Sequence, residues 1–443
     1  MDLKEHPTVK AYLKSGKRHN NLTKILKSSE LKAIAKECGA DDTGLVDIQR
    51  ETMKPYLKDL DWTMPGVKTI LVLAWGLNQA QMQSQAHSLA DIELKHGWTN
   101  ANESARAIAA KIRQTGAMAL HMPAGFPFET SRWPGGVWLT ADKIFAVEGG
   151  LGHMGINRLV LHPKKGAAVV LGSVLVDREC DVYDQPLDYN PCIDCRLCLS
   201  ACPVGAVKKD GFDFMACYTH NYRERLGGFQ NWIEQIAASR SAADYRSRVS
   251  DAETITMWQN LAIGAQTRCD RCMAVCPAGE MAIGSYLEDR EGYIAHIVKP
   301  FKDKEETIYV VPGSDAHHYV TERFPHKRVK TVSNGTRPSS AQKFLDNLPL
   351  FFQPGQAKGL NATYHFTFKG AENLTGTAVI KEQRITVTMG HIGKPDLKVV
   401  ADSDTWITFL AKEKNLLAAL ATRKIRIKGS PLLMKKFAAC FPS

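Results

Sequence analysis

No stretch of this chain is apolar for long enough to cross a membrane; the longest run, Ala167 to Val176, is broken at Gly172. The N-terminal MDLKEHPTVKAYLKSGKRHN has neither the apolar core of a signal peptide nor a twin arginine. A cytoplasmic protein is expected. Cysteines are few outside one region, which excludes a dispersed disulfide framework in a chain of 443 residues. Internal repeats and low-complexity tracts are lacking as well. The net charge of +11 is spread thinly, with short runs at Lys299–Lys304, His326–Lys330 and Arg423–Lys428. Aromatic residues do not interleave with these runs, so a nucleic-acid partner is not expected and the runs read as solvated surface. The charge still suits an acidic electron donor.

What the chain does have is eight of its eleven cysteines in one two-part pattern. Cys192, Cys195, Cys198 and Cys202 lie in PCIDCRLCLSACPVGA; Cys269, Cys272 and Cys276 lie in TRCDRCMAVCPAG; Cys217 stands between them. The spacing C-x2-C-x2-C-x3-C-P is the bacterial ferredoxin run, whose fourth cysteine serves the other cluster when two are present. Eight thiolates match two 4Fe–4S clusters. Counting assigns Cys192, Cys195, Cys198 and Cys276 to one, and Cys202, Cys217, Cys269 and Cys272 to the other. Zinc also takes C-x2-C pairs, but rarely a third cysteine at the same spacing followed by C-P. Cys38, Cys180 and Cys440 fall outside the pattern.

The rest of the chain divides by composition. Residues 1–60 read as a helical segment, with LTKILKSSELKAIAKECGA ending at Gly39. Thr69–Trp75 and Gly166–Asp177 read as buried strands. Residues 101–123 read as a helix, a Gly116 stop and a strand, and Ala141–Gly149 as a short helix. That alternation predicts an α/β or α+β core over 61–177. The two-cluster module spans 178–290. Turn-rich residues 291–345 read as a wrapping segment and linker. Period-two strands at 363–370, 376–382 and 385–390 then open a separate α+β domain over 346–443.

The cysteine pattern, together with GGLGHMGINRLVLHPKKGAAVVLGSVLVD at 149–177, resembles the epoxyqueuosine reductase and reductive dehalogenase superfamily. The resemblance implies an α+β multidomain protein: an α/β nitroreductase-like corrinoid-binding core, a ferredoxin-like two-cluster module and the C-terminal domain. It implies cobalamin held by Gly149, Gly150, Leu151, Gly152, His153, Gly155 and Asn157. The four glycines would bring backbone close to a flat ligand. It further implies a ferredoxin or flavodoxin as donor, and reduction of a bulky apolar or halogenated substrate. Alternatives are an electron-transfer protein without corrinoid, and a tRNA epoxyqueuosine reductase. The acidic proton donor that epoxyqueuosine reductases carry fourteen residues before the GLG is replaced here by Gly136. Substitutes are Tyr183, Tyr189, Tyr218, Asp142 and Lys143. Residues 402–437 resemble a sterol carrier protein type 2 domain, which implies an apolar tunnel for a lipid or apolar substrate. The oligomeric state is left open, a homodimer included.

Overall fold

The computed structural model describes residues 2–14, 25–133, 137–264 and 267–442. Gly136 therefore lies outside the described residues, as does the first part of the helical pattern expected before Gly39; the helix runs over Ser28–Glu37.

The first unit is built on a four-stranded sheet in the order Asp42–Asp47, Thr69–Gly76, Val169–Val176, Ala119–His121. Every pairing in it is antiparallel. The core is thus α+β, and the α/β expectation is corrected. Alternating helices and strands do not by themselves dictate parallel crossovers. Strand Asp42–Asp47 also corrects the all-helical reading of residues 1–60. Its Gly44-Leu45-Val46 is too short a signal to stand out beside a helix.

Thr69–Gly76 is apolar throughout because both faces of the sheet are covered. Leu71, Leu73 and Trp75 pack on one side with Ala101, Ala105 and Ile108. Ile70, Val72 and Ala74 pack on the other with Phe145 and Ala146. The helix on the first side, His87–Gln114, starts fourteen residues earlier than the sequence predicts. Its buried stripe of Ala90, Leu94, Gly97, Ala101, Ala105, Ile108 and Ile112 keeps helical spacing. The polar residues between those positions hide its first half from a pattern search.

Residues around the cysteines form a second core with Ile308, Val310, Val320 and Phe324. Those four belong to a β-α-β unit, the parallel strands Thr307–Val310 and Arg328–Thr331 flanking helix Asp315–Arg323. What reads as linker is therefore structured.

The C-terminal sheet runs 384–389, 374–381, 362–369, 397–402, 425–429, with the 362–369 and 397–402 strands parallel. Helix Ala341–Phe351 joins its core through Phe344, Leu345 and Leu348, so this unit begins a few residues before the expected boundary. Between sheet and helices the space is filled by aromatic rings: Trp406 meets Phe344, Phe366 and Phe368 at centroid distances of 5.4, 6.1 and 5.9 Å. Lys343, on the first helix of this unit, donates to the backbone carbonyl of Trp133 at 3.1 Å in the first unit.

Candidate functional site

Backbone conformation brings the first cysteine run round a point. Asp194 and Arg196, on either side of Cys195, both take the left-handed region, at φ 50° and 60°. Arginine adopts that region at a cost of about 1–2 kcal/mol. Such strain persists where the surroundings impose it, often at a functional site. Cys192 is held by its own amide donating to Asn190 Oδ1 at 2.9 Å. Helix Leu197–Ala201 then carries Cys198. Together with Cys276, Cys192, Cys195 and Cys198 line one recess, beside Ile156 and Leu161.

Cys202 follows the same helix, and its Sγ accepts from the Ala206 amide at 3.2 Å. Cys217 lies on helix Phe214–Asn221, whose start is capped by Asp213. Asn221 at the end of that helix accepts the Cys269 amide at 2.9 Å, and so draws Cys269 towards Cys217. Cys272 is fixed from the first unit, where Asn157 Nδ2 donates to its carbonyl at 3.1 Å.

Electrostatics sort the thiols into the same two groups. Burial pushes Cys198 and Cys276 up to about 12, and the thiols of Cys195 and Cys192 add to both shifts. Burial likewise pushes Cys269 up to about 12, with Cys202 adding to it. Cys217 is raised by burial, then by Cys202 and Cys269. Cys272 is raised by burial, then by Cys269, Cys217 and Cys202, and last by Cys198 of the other group, so the two groups are neighbours. Buried thiols of this kind stay protonated until a metal displaces the proton. Among the described residues, no three His, Cys, Asp or Glu side chains converge as a single metal ion requires. Four thiolates around a cubane stand farther apart than four around one zinc ion.

The glycines of the 149–155 loop are tightly packed. A Cβ on Gly149 would meet Val72 Cγ1 at 2.6 Å, and one on Gly150 would meet the Gln185 carbonyl oxygen at 2.5 Å. On Gly152 it would meet the Leu161 carbonyl oxygen at 2.5 Å, and on Gly155, Asn157 Oδ1 at 2.7 Å. All four glycines thus pack closely against the protein's own atoms. Leu151 is core. Asn157 is occupied with Cys272. His153 is partly exposed, its Nδ1 3.3 Å from the Met154 carbonyl oxygen.

The five substitute proton donors separate. Tyr183 is used structurally, its hydroxyl 3.1 Å from Thr69 Oγ1 and accepting from the Cys180 amide. Tyr189 is exposed. Asp142 accepts from Ser173 Oγ at 2.8 Å, and desolvation holds its carboxyl above the usual range. Tyr218 is buried and accepts from the Gly227 amide at 2.9 Å, next in sequence to Cys217. Lys143 donates to the Arg158 carbonyl at 2.8 Å, and its charge acts on both Cys217 and Cys272. Of the five, Lys143 is the one whose charge acts on the second thiol group.

A feature missed from the sequence is an aromatic path leading away from that group. Tyr222, whose hydroxyl feels the Cys217 thiol, lies 4.7 Å from the Arg225 guanidinium, and the other side of that group meets Phe126 at 4.9 Å. Phe126 touches Phe128, and Phe128 touches Trp133 and the exposed Trp138. Arg225 is buried, and its Nε and Nη1 have no partner among the described residues. The density of rings in FPFETSRWPGGVW was the available signal.

Residues 352–442 match the family model described as the SCP-2 sterol transfer family. Curated relatives are named epoxyqueuosine reductase. That of Cyclobacterium marinum is 30% identical over 101 residues, covering 21% of this chain and 32% of the relative. That of Prochlorococcus marinus is 26% identical over 206 residues, covering 41% and 59%. This chain thus spans less than two thirds of these relatives' length. Solved structures include a catabolic reductive dehalogenase in complex with 3-bromo-4-hydroxybenzoic acid, at 16% identity and TM-score 0.39 over 63% of this chain and 37% of that one. An epoxyqueuosine reductase with a tRNA-Tyr epoxyqueuosine-modified stem loop aligns at 16% identity and TM-score 0.30, covering 43% and 56%. No helix among the described residues is long and apolar enough to cross a membrane.

Proposed function

We propose that this protein is an oxidoreductase that carries electrons through two 4Fe–4S clusters to a reducible organic substrate. The observation that carries the reading is the sorting of eight cysteines into two adjacent groups of four, each group drawn from both runs. Cys192, Cys195, Cys198 and Cys276 would hold one cluster, and Cys202, Cys217, Cys269 and Cys272 the other. The clusters supply one-electron transfer at potentials set by charge, hydrogen bonds and solvent exposure. The chain's own residues do the rest. Asn157 and Asn221 position Cys272 and Cys269. Lys143 places a positive charge beside the second group.

The aromatic path from Tyr222 to Trp138 supports a bulky apolar or halogenated ring as substrate. Arg225, with two unpaired N–H groups, would meet an acidic substituent on that ring. A corrinoid is part of the proposal through the resemblance alone. No step is derived through it.

A second reading is a tRNA epoxyqueuosine reductase. The names of the curated relatives favour it, and the expectation against nucleic acid is withdrawn on that account. Anaerobic purification with reconstitution tests the common part: about eight irons per chain are expected. A chain that reconstitutes with no iron overturns both readings. Added cobalamin giving a base-off spectrum supports a corrinoid enzyme; its absence leaves an electron-transfer protein. Turnover of a halogenated phenol against that of epoxyqueuosine tRNA separates the first reading from the second.

A further inference from the structure

Between the helices after Ser241 and the β-α-β unit, the chain forms a recess of about 560 Å³. That volume lies within the roughly 300–1,000 Å³ of small-molecule sites. Five segments build it: the end of helix Ala242–Arg248, the start of helix Asp251–Ile263, Arg268, and the two parallel strands of the β-α-β unit. Five cations line it, Arg246, Arg248, Arg268, Arg328 and Lys330, against one carboxylate, Glu253.

The carboxylate is already engaged. Glu253 Oε2 accepts from Lys330 Nζ at 2.5 Å and from the Ser250 amide at 3.1 Å, closing the capping box of its helix. Arg248 is tied to Asp244, and Arg268 to Glu224, both outside the recess. Arg246 and Arg328 have no ion-pair partner among the described residues, although each is exposed and free to swing inward. Arg268 keeps a buried Nε without a hydrogen-bond partner. Its guanidinium lies 5.0 Å above the ring of Tyr309, a buried residue that also lines the recess. Hydroxyls of Ser247, Thr256 and Thr307 complete the lining.

Such a concave surface, rich in fork-shaped donors, matches clustered anionic oxygens. We propose that the recess binds a small phosphate-bearing anion with at least two adjacent phosphates. This proposal does not depend on the clusters or on the reduction reaction. It gives a role to the His326–Lys330 run, which its sequence alone marks only as solvated surface.

Calorimetric titration of the intact protein with inorganic pyrophosphate tests it, at about 150 mM salt so that unspecific surface attraction is screened. The expected result is saturable one-to-one binding. Adenosine should give none, and the R246Q/R328Q variant should bind at least about tenfold more weakly, the loss of one good charge contact. Because neither arginine has a structural partner, the variant should keep the wild-type iron content and melting temperature. Three results would overturn the proposal: no pyrophosphate binding by the wild type, equal binding by the variant, or binding that vanishes between low and physiological salt, which marks an adventitious ion only. An RNA stem loop that binds through these arginines while pyrophosphate does not would overturn it too, since the recess would then be part of a phosphodiester track.

Discussion

Cys276 belongs by sequence to the second cysteine run, but by position to the first thiol group, and that crossing can be tested by counting iron. Cys276→Ala should leave three thiols of one group and all four of the other. One cubane is lost, and iron falls from about eight to about four per chain. The double variants carry the argument further. C192A/C276A removes two ligands of the same group, so it should lose nothing beyond the single change and stay near four. C272A/C276A removes one ligand from each group and should approach zero. Non-additivity of this kind is expected of residues that act as a unit. The assay is iron and sulfide analysis after anaerobic reconstitution, with electron paramagnetic resonance counting the reduced clusters. If C192A/C276A loses all its iron while C272A/C276A keeps about four, the sorting by burial and mutual charge is wrong. Circular dichroism on each variant separates loss of a cluster from loss of the fold.

Three further expectations follow from other parts of the molecule. Glu306 bonds Lys327 at 2.8 Å and also pairs with Arg271; the Lys327 side chain is wholly buried. Glu306→Gln should therefore cost about 3–5 kcal/mol in chemical denaturation at neutral pH. Burial alone would raise the Glu306 pKa, but the charge of Arg271 and the hydrogen bond from Lys327 hold it below the usual range. Its contribution is thus full above its unfolded value of about 4.3 and is lost as pH falls through the lower folded value, so the gap between wild type and variant should close in acid. A gap that stays constant down to acid would contradict the assignment. Gly166→Ala sets a Cβ 1.8 Å from the Ala278 carbonyl oxygen at a residue with φ 63°. It should cost more than about 1 kcal/mol and disturb the first cluster through neighbouring Cys276, seen as lowered melting temperature and iron content. Trp406→Ala empties the centre of the C-terminal aromatic core and should cost about 3–5 kcal/mol, read as an earlier melting step; no change in melting would show that this core does not support its unit.

How far the sequence reached varied with the kind of signal. The cysteine spacing is local chemistry, and the left-handed turns at Asp194 and Arg196 fall within it. The strands of the last unit are half-buried, and their alternation of apolar and polar residues shows it directly. Three things were not legible. The direction of strand pairing depends on which edge each chain segment reaches, and that is not written in Thr69–Gly76 or Val169–Val176 themselves. The first half of helix His87–Gln114 buries small residues such as Ala90 and Gly97, whose pattern is faint beside larger side chains. What lies opposite the missing side chains of the 149–155 glycines is not written in the sequence either. Here it is Val72, Gln185, Leu161 and Asn157.

The bond from Lys343 to the carbonyl of Trp133 gives the last unit a part in the upkeep of the first. Trp133 belongs to the ring-bearing loop, and its carbonyl is satisfied by a lysine that the chain makes two hundred residues later. A shortened chain ending before Ala341 would keep all eight cysteines of the two-part pattern and still lack this tie. The C-terminal unit is in that sense a brace. Exchanging it for that of a relative should succeed only where a lysine arrives at the same place.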